Sequence, residues 1–470
     1  MSLPIATNDR VEFARWCEAE DIRTVVSGAA DLHGVWRGKR LPVEEFLAHL
    51  DHGVPFSDVL LVITHAEDAD DGQELVEPPG GAAYPYYFPR KEQGFPDILV
   101  VPDLSSARRL SWHEGTLGVV GDFHLPSGDP VPIGSRNVLR RLIERARSRG
   151  LEPKVGLEYE FFIFRGGFDS LAESGWRLEP LYARPYTYSV YRGGLDEELI
   201  GEVRRHMTNA DVSIEASNPE TGPGQYELNL HYADALKAAD DGFIYKNGIK
   251  EIIARRGLTA SFMAKPSRKW AGSSCHIHQS LWDVEEDTNV LFDHALGHGL
   301  SETARCYIGG LLATMREFTA FFAPTPNSYK RFVPYSWAGT SVSWGYDNRS
   351  NGIRAIAETA PVSRVEHRLP GADTNPYVAI AACLAGGLYG LEHKLDPHDA
   401  YEGDAYDTKQ FESVPQSLDE ALDLLEKSEI AQEMLGEDFV RYYVIMKRFE
   451  AERYRQQVSE WEVRRYVEMA

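Results

Sequence analysis

Cysteine is scarce. The chain has four in 470 residues, Cys17, Cys275, Cys306 and Cys383, all far apart. Such a set builds neither a disulfide framework nor a CxxC pair, so a reducing, cytoplasmic setting is expected. Basic residues are also in deficit, 49 Lys and Arg against 72 Asp and Glu, for a formal charge of −23. A surface of that sign repels phosphate backbones and anionic lipid, which argues against nucleic acid or a membrane as partner. No apolar run is long enough to span a bilayer. The longest, Tyr377 to Leu391, is rich in Ala and Gly and reads as a buried, closely packed helix. The amino terminus, MSLPIATNDRVEF, lacks the apolar stretch of a signal peptide. Internal repeats and low-complexity tracts are missing as well. GVWRGK (residues 34–39) suggests a phosphate loop only superficially, because its spacing is wrong and it has no Ser or Thr.

What is present is enough for a large core: 43% of the residues are hydrophobic, and the length predicts two domains. Arg10 to Ala19 mixes apolar and charged positions as a helix does. Ile22 to Ala29 reads as a strand, Glu44 to His49 as a short helix and Asp58 to Ile63 as a β-branched strand. From Glu77 to Pro102 the composition shifts to Pro, Gly and aromatics, ending in the strand ILVVPD. These segments predict a small α+β domain over residues 1–115 and a larger one over 116–470, with the Gly/Pro/Asp-rich crossing Gly121 to Asn137 as boundary region. Ser135-Arg136-Asn137 opens the amphipathic helix NVLRRLIERARSRG, which Gly150 terminates. Phe439 to Met469 is strongly helical, with Phe439, Tyr442, Tyr443, Ile445 and Met446 on an apolar stripe.

Four short segments carry chemistry. In a strand, side chains two apart share a face. From Val155 to Phe161, Glu158 and Glu160 share one face while Leu157, Tyr159 and Phe161 take the other. From Ser274 to Ser280, His276 and His278 share a face and Cys275 points away. From Pro223 to Asn229, polar side chains alternate with Tyr226 and Leu228. From Arg364 to Leu369, Arg364 and Arg368 flank Glu366. Each segment alone has an ordinary structural explanation, such as a solvated strand face or a surface ion-pair ladder. Their joint occurrence on polar faces backed by apolar ones points to a site. Five carboxylates (Glu158, Glu160, Glu220, Glu227, Glu366) and the His276 imidazole form an oxygen-rich ligand set that suits Mg²⁺ or Mn²⁺ rather than Zn²⁺. Arginines beside such ions are what phosphoryl transfer requires, since its transition state spreads negative charge over several oxygens.

GLEYEFF, PETGPGQYE, AGSSCHIHQSL, PNSYKRFVP, NRSNGIR and RVEHRLPGADTNPYVAIAACLAG occur in that order, ahead of a terminal helix ending EWEVRRYVEMA. In this the chain resembles the glutamine synthetase superfamily over essentially its whole length. The resemblance implies an α+β fold, with a small β-grasp-like amino-terminal domain on a larger catalytic domain whose curved, mostly antiparallel sheet forms a funnel. It also implies a homo-oligomer of two stacked rings, a dodecamer, with each active site between neighbours. Carried over residue by residue, one metal site comprises Glu160, Glu220 and Glu227, and a second comprises Glu158, His276 and Glu366, for two or three Mg²⁺ or Mn²⁺ ions in all. His278 and Ser280 match positions that contact ATP. Gly272 and Arg331 match positions that hold glutamate. Arg349, Arg354 and Arg364 match the phosphate cluster, and Arg368 the position near the γ-carboxyl and the transferring phosphate. The implied reaction makes γ-glutamyl phosphate from glutamate and ATP, which an amine then attacks.

Two departures bear on that amine. Ammonia-using members carry a VPGYE flap whose glutamate helps deprotonate ammonium. Here the segment reads Val333-Pro334-Tyr335-Ser336-Trp337-Ala338, with Trp337 in place of the acid. They also carry FDGSS, with an ammonium-binding aspartate, where Ala82 to Arg90 (AAYPYYFPR) has no acid. Tyr84, Tyr86, Tyr87, Phe88, Tyr335 and Trp337 would instead offer apolar or cation–π contact to an organic amine. The pattern is similar to γ-glutamyl–amine ligases that take polyamines, ethanolamine, alkylamines or anilines. The alternatives are an ammonia-using glutamine synthetase and a non-catalytic scaffold of the same fold. Ala271 stands where the family usually has Asn near the glutamate amino group. Tyr406, in GDAYDTKQ, lacks the family's adenylylation context LYDLPPEE, so that control is not expected.

Overall fold

The β-branched segments of the first quarter of the chain close into one sheet in the computed structural model, which describes residues 10–64, 93–296 and 298–469. Strand Thr24–Ala30 lies between its antiparallel partner Trp36–Pro42 and its parallel partner Thr116–His124. Asp97–Pro102 and Val54–Ser57 continue the sheet. Helices Arg10–Ala19 and Val43–His49 cover one face, burying Phe13, Cys17 and Phe46 against Val25, Leu117 and Val119. Thr116–His124 therefore sits inside this sheet, and a division at 115/116 would cut it from both neighbours. We propose that the domains divide after it, within the Gly/Pro-rich crossing that precedes helix Ser135–Arg147. Ala82 to Arg90, with Tyr84, Tyr86, Tyr87 and Phe88, lies outside the described residues.

The run Asp58 to Ile63 is not the expected strand; Asp58–Val62 forms a 3₁₀ turn. Ser57 caps it, its Oγ accepting the Val59 N–H at 3.3 Å. Leu60, Leu61 and Val62 are all buried in the main core. A strand would turn alternate side chains to opposite faces, whereas one helical turn buries three successive ones, so packing overrides β-propensity here.

The second sheet holds all four chemistry-bearing segments. Its order is Trp344–Tyr346, Ile353–Ile356, Arg364–His367, Cys275–Asp283, Leu151–Arg165, Gln225–Leu230 and Ile214–Pro219, with Ala233–Asp234 and Leu258–Ser261 also paired to the long strand. Only the first pair is parallel. Leu157, Tyr159 and Phe161 enter the core, where Tyr159 stacks on Tyr245 of helix Ala235–Ala254 at 5.4 Å. Pro376–His393 is the buried helix expected from its composition. Asn375 caps it, accepting the Tyr377 N–H at 3.0 Å. Its glycines let helix Glu302–Thr314 come to backbone contact: a Cβ on Gly310 would sit 2.1 Å from the Gly386 carbonyl oxygen.

Arg136 ties the two sheets together. It donates at 2.8 Å to Asp103 and Asp122 on the first side and at 2.8–2.9 Å to Asp240 on the second. Towards the carboxy terminus, Glu437–Gln456 buries Phe439, Tyr442, Tyr443 and Met446, with Ile445 half-buried. The helical stretch then breaks at Gln457 to Ser459, and a Ser459/Glu462 capping box starts the separate helix Glu460–Tyr466. Among the described residues no helix is long and apolar enough to cross a membrane.

Candidate active site

Strand register assembles the site. Side chains directly opposite in an antiparallel pair share a face. Glu158 is paired with His276 on one side and with Asn229 on the other. Glu160 is paired with Glu227, and Glu366 with both His278 and Arg354. Apart from Glu366, which is buried, these side chains line a cavity of about 1510 Å³. His276 Nδ1 lies 2.8 Å from Glu158 Oε1 and 3.5 Å from Glu366 Oε1. One ligand atom from each of Glu158, His276 and Glu366 falls within 4.8 Å of the others. Among the described residues no other group gathers so closely, and this is the trio expected for one metal site.

The remaining acids form a looser cluster of like charge. Burial and then Glu220 push the Glu160 carboxyl up to about 8. Glu227 is raised by burial and by Glu158, Glu160 and Glu220, and Glu220 is raised mainly by burial. Protein donors satisfy them in part: the Ser274 N–H donates to Glu160 at 2.6 Å, and Asn218 to Glu220 at 2.9 Å. Glu366 has the opposite balance. Burial would raise it, but His278, Arg368 and His276 bring it down to about 2. It accepts from Arg354 Nη1 at 2.8 Å and also from Arg368 Nη1. A cluster of carboxylates repelling one another, next to an imidazole–carboxylate trio, fits hard divalent cations such as Mg²⁺ or Mn²⁺ in chemistry and charge.

The other expected residues mostly line the same cavity. Gly272, His278, Ser280, Arg349, Arg354, Arg364, Arg368 and Trp337 are on its wall, as are Glu158, Glu160, Glu220, Glu227 and His276. Arg364 Nε donates to His278 Nδ1 at 3.2 Å, which leaves the His278 proton on Nε2, facing Glu158 Oε2 at 3.4 Å. Two residues sit behind the wall. Glu366 is buried yet reaches the trio. Arg331 is buried against Gly272, whose added Cβ would meet its Cγ at 2.4 Å, and it donates to Ser274 Oγ at 2.9 Å and to the Leu369 carbonyl. Its guanidinium thus supports the wall rather than projecting from it.

Several wall residues carry no sequence motif. Tyr188, in the aromatic stretch PYTYSVY, is exposed on the wall with φ 54°. Burial, followed by Glu227 and Glu220, raises its pKa. Lys265 also lines the cavity and donates to the Trp270 carbonyl at 2.6 Å. Tyr335 and Trp337 line it too, at φ 59° and 61° and both more than half exposed. The Tyr335 hydroxyl donates to Asp407 at 2.7 Å.

The catalytic-domain family of glutamine synthetase matches residues 133–466. The chain belongs to the glutamine synthetase family. A glutamate–isopropylamine ligase of a Pseudomonas species is 41% identical to it over 457 residues, 96% of each chain. The γ-glutamylethanolamide synthetase GlnA4 of Streptomyces coelicolor is 37% identical over 452 residues, 96% of this chain and 94% of that one. A solved structure of a GmaS/ADP complex superposes with a TM-score of 0.82 at 29% identity, covering 98% of this chain and all of the other. Enzymes of this family use ATP and divalent metal ions, and the glutamine synthetase fold accounts for both sheets described above.

Proposed function

We propose that this protein is an ATP-dependent glutamate–amine ligase that forms a γ-glutamyl amide from glutamate and an organic amine. The observation that carries this is the pairing of a full phosphoryl-transfer wall with an aromatic flap. The wall has the Glu158–His276–Glu366 trio, the Glu160–Glu220–Glu227 cluster and the guanidiniums of Arg349, Arg354, Arg364 and Arg368. The flap has Tyr335 and Trp337 at the cavity and no acid from Val333 to Ala338. The likeness to an isopropylamine ligase and an ethanolamide synthetase supports the same assignment.

Two or three divalent ions bound at the two acid groups would screen the γ-carboxylate and the phosphate oxygens from each other and leave the phosphorus open to attack. The protein's own groups set the geometry. Glu366 holds Arg354 and Arg368 side by side at the wall, where they face developing phosphoryl charge. His278 and Ser280 face the nucleotide, and Gly272 leaves room for the glutamate backbone. A γ-carboxylate oxygen of glutamate attacks the terminal phosphorus of ATP, and ADP leaves. The amine nitrogen then attacks the acyl carbon, phosphate leaves with the C–O bonding pair, and one amine proton is lost. Tyr335 and Trp337 cover the opening, keep water from the acyl phosphate and pack on the apolar part of the amine.

The active assembly is the double ring of the family, in the cytoplasm. The test is a panel of isopropylamine, ethanolamine, a polyamine, aniline and ammonium, with products identified by mass spectrometry. Amide from at least one organic amine at kcat/KM above that for ammonium supports the assignment. Preferential formation of glutamine would identify an ammonia-using synthetase instead, and the absence of phosphate release with every amine would leave a scaffold.

A further inference from the structure

Beneath the flap, a second loop makes contacts that the reaction above leaves unused. The ring of Tyr406 packs against Tyr335, with centroids 5.5 Å apart, and edge-on against Trp337, at 6.5 Å. Its neighbour Asp407 accepts the Tyr335 hydroxyl. The Tyr406 hydroxyl points inward: its oxygen is buried and has no hydrogen-bond partner. Burial raises its pKa, while the N–H groups of Gly339 and Trp337 and the charge of Arg368 act in the other direction. Those N–H groups therefore face the oxygen closely without completing a bond.

The loop is firmly held from below. The Ala405 N–H donates to Ser350 Oγ at 2.9 Å, and Asn348 Nδ2 donates to the Gly403 carbonyl at 2.8 Å. Asn348 and Ser350 flank Arg349, which is on the cavity wall. The flap above is the strained partner. Tyr335 and Trp337 are bulky residues in the left-handed region at φ 59° and 61°, a conformation that persists where neighbours over-determine it.

We propose that Tyr406 is a positioning residue for amine selection. Its ring fixes where Trp337 stands at the cavity wall, and its hydroxyl accepts the Trp337 and Gly339 N–H groups when residues 333–339 settle over the cavity loaded with glutamate and nucleotide, before the amine enters. A buried hydroxyl without a partner is costly, and a small inward movement of the flap satisfies it together with two backbone donors. The inference rests on the amine-ligase function proposed above, and it concerns the amine side alone. Tyr406 is not on the cavity wall, so it acts on the amine through Trp337.

Tyr406→Phe removes only the hydroxyl, and Tyr406→Ala removes the backing ring as well. With isopropylamine as substrate, Y406F should raise the amine KM about 3- to 10-fold, while the KM values for glutamate and ATP stay within twofold. Y406A should also narrow the preference for isopropylamine over ammonium. Independently of any amine, amide hydrogen exchange of residues 333–339 should be faster in Y406F than in wild type. That measurement is made with glutamate and a non-hydrolysable Mg–ATP analogue bound. An amine KM unchanged within twofold, a parallel rise in all three KM values, or equal exchange in the two proteins overturns the proposal. If wild type makes amide from no organic amine, the ligase function fails, and the exchange rates still decide the role of Tyr406. If Y406A does not fold, Y406F carries the test.

Discussion

Replacing Glu366 by Gln keeps the shape of a side chain that is 1% exposed and removes only its charge. The carboxylate accepts from Arg354 and Arg368 and lies 3.5 Å from His276 Nδ1. Hydrogen bonds to charged groups contribute roughly 1.5–3 kcal/mol each and neutral ones about 0.5–1.5, so two weakened contacts remove about 1–3 kcal/mol of stability. The catalytic loss should be larger. Removing one contact that stabilises developing charge costs about 3–4 kcal/mol, or roughly 10²- to 10³-fold in kcat. Burial pushes the Glu366 pKa up from 4.5, but His278, Arg368 and His276 bring it down to about 2. A depressed carboxylate contributes stability that is fully present above 4.5 and is lost as pH falls through 2. The stability gap between wild type and E366Q should therefore narrow as pH falls below 4.5. Phosphate release with glutamate, isopropylamine and Mg–ATP measures kcat, and urea unfolding in EDTA isolates the arginine contacts from any metal. A variant within threefold of wild-type kcat refutes the placement of Glu366, as does a gap that stays constant as pH falls below 4.5.

Three further outcomes follow from the same geometry. Glu160, raised to about 8, holds its proton at neutral pH until a cation displaces it, so Mg²⁺ binding should release protons between pH 6 and 8. Without metal, a raised carboxylate contributes stability below 4.5 that is lost as pH rises through 8, at up to about 1.4 kcal/mol per pH unit. Glu160→Gln should release fewer protons in calorimetric titration and need at least tenfold more Mg²⁺ for half-maximal rate; unchanged values would remove Glu160 from the metal site. Trp337→Glu should raise kcat/KM for ammonium relative to isopropylamine by tenfold or more, and an unchanged ratio would mean that Trp337 does not face the amine. Gly310→Ala places a Cβ 2.1 Å from the Gly386 oxygen and should destabilise the fold by about 1–3 kcal/mol in urea unfolding, despite the better helix propensity of Ala. Wild-type stability in that variant would show that the two helices separate easily.

How far the site was legible depends on which physical rule each residue obeys. Glu158, Glu160, His276 and His278 could be placed on one face from period-two alternation alone, and the sheet puts them there. Which strands lie side by side is not written in any one segment. The pairings of Glu158 with His276 and of Glu160 with Glu227 join residues far apart in the chain, and only the family resemblance brought those strands together. Arg331 shows the same limit for orientation. Its residue type was legible, but its course behind Gly272 is set by packing against a glycine on another segment. Asp58–Val62 departs from the strand reading because the five adjacent apolar residues Val59 to Ile63 carry no period, and a capping serine with burial of Leu60, Leu61 and Val62 selects a turn. Tyr188 left no signal beyond local aromatic density, and Tyr406 stood out only for lacking the family's adenylylation context. Each acts from a loop whose conformation tertiary contacts impose, and Tyr188 at φ 54° adopts a backbone that its residue type disfavours.

The two halves of the reaction are thus built on different physics. The phosphoryl side is fixed by register, where a slip of one residue in the long strand would turn Glu158 and Glu160 out of the cavity together, and one in its neighbour would do the same to His276 and His278. The amine side rests on a flap and its supporting loop, where single substitutions act separately. An alkylammonium has a pKa of roughly 10, so at pH 7 it must lose a proton before it attacks. An acid at the flap serves a small cation, holding it and helping to take that proton. An aromatic wall serves an amine with an apolar body: burying three carbons at about 0.8 kcal/mol each yields roughly 2 kcal/mol, about 30-fold in affinity, none of which ammonium can gain. On the proposed function, having Trp337 in place of a flap acid would shift selection from charge to apolar surface while the register-locked wall is unchanged.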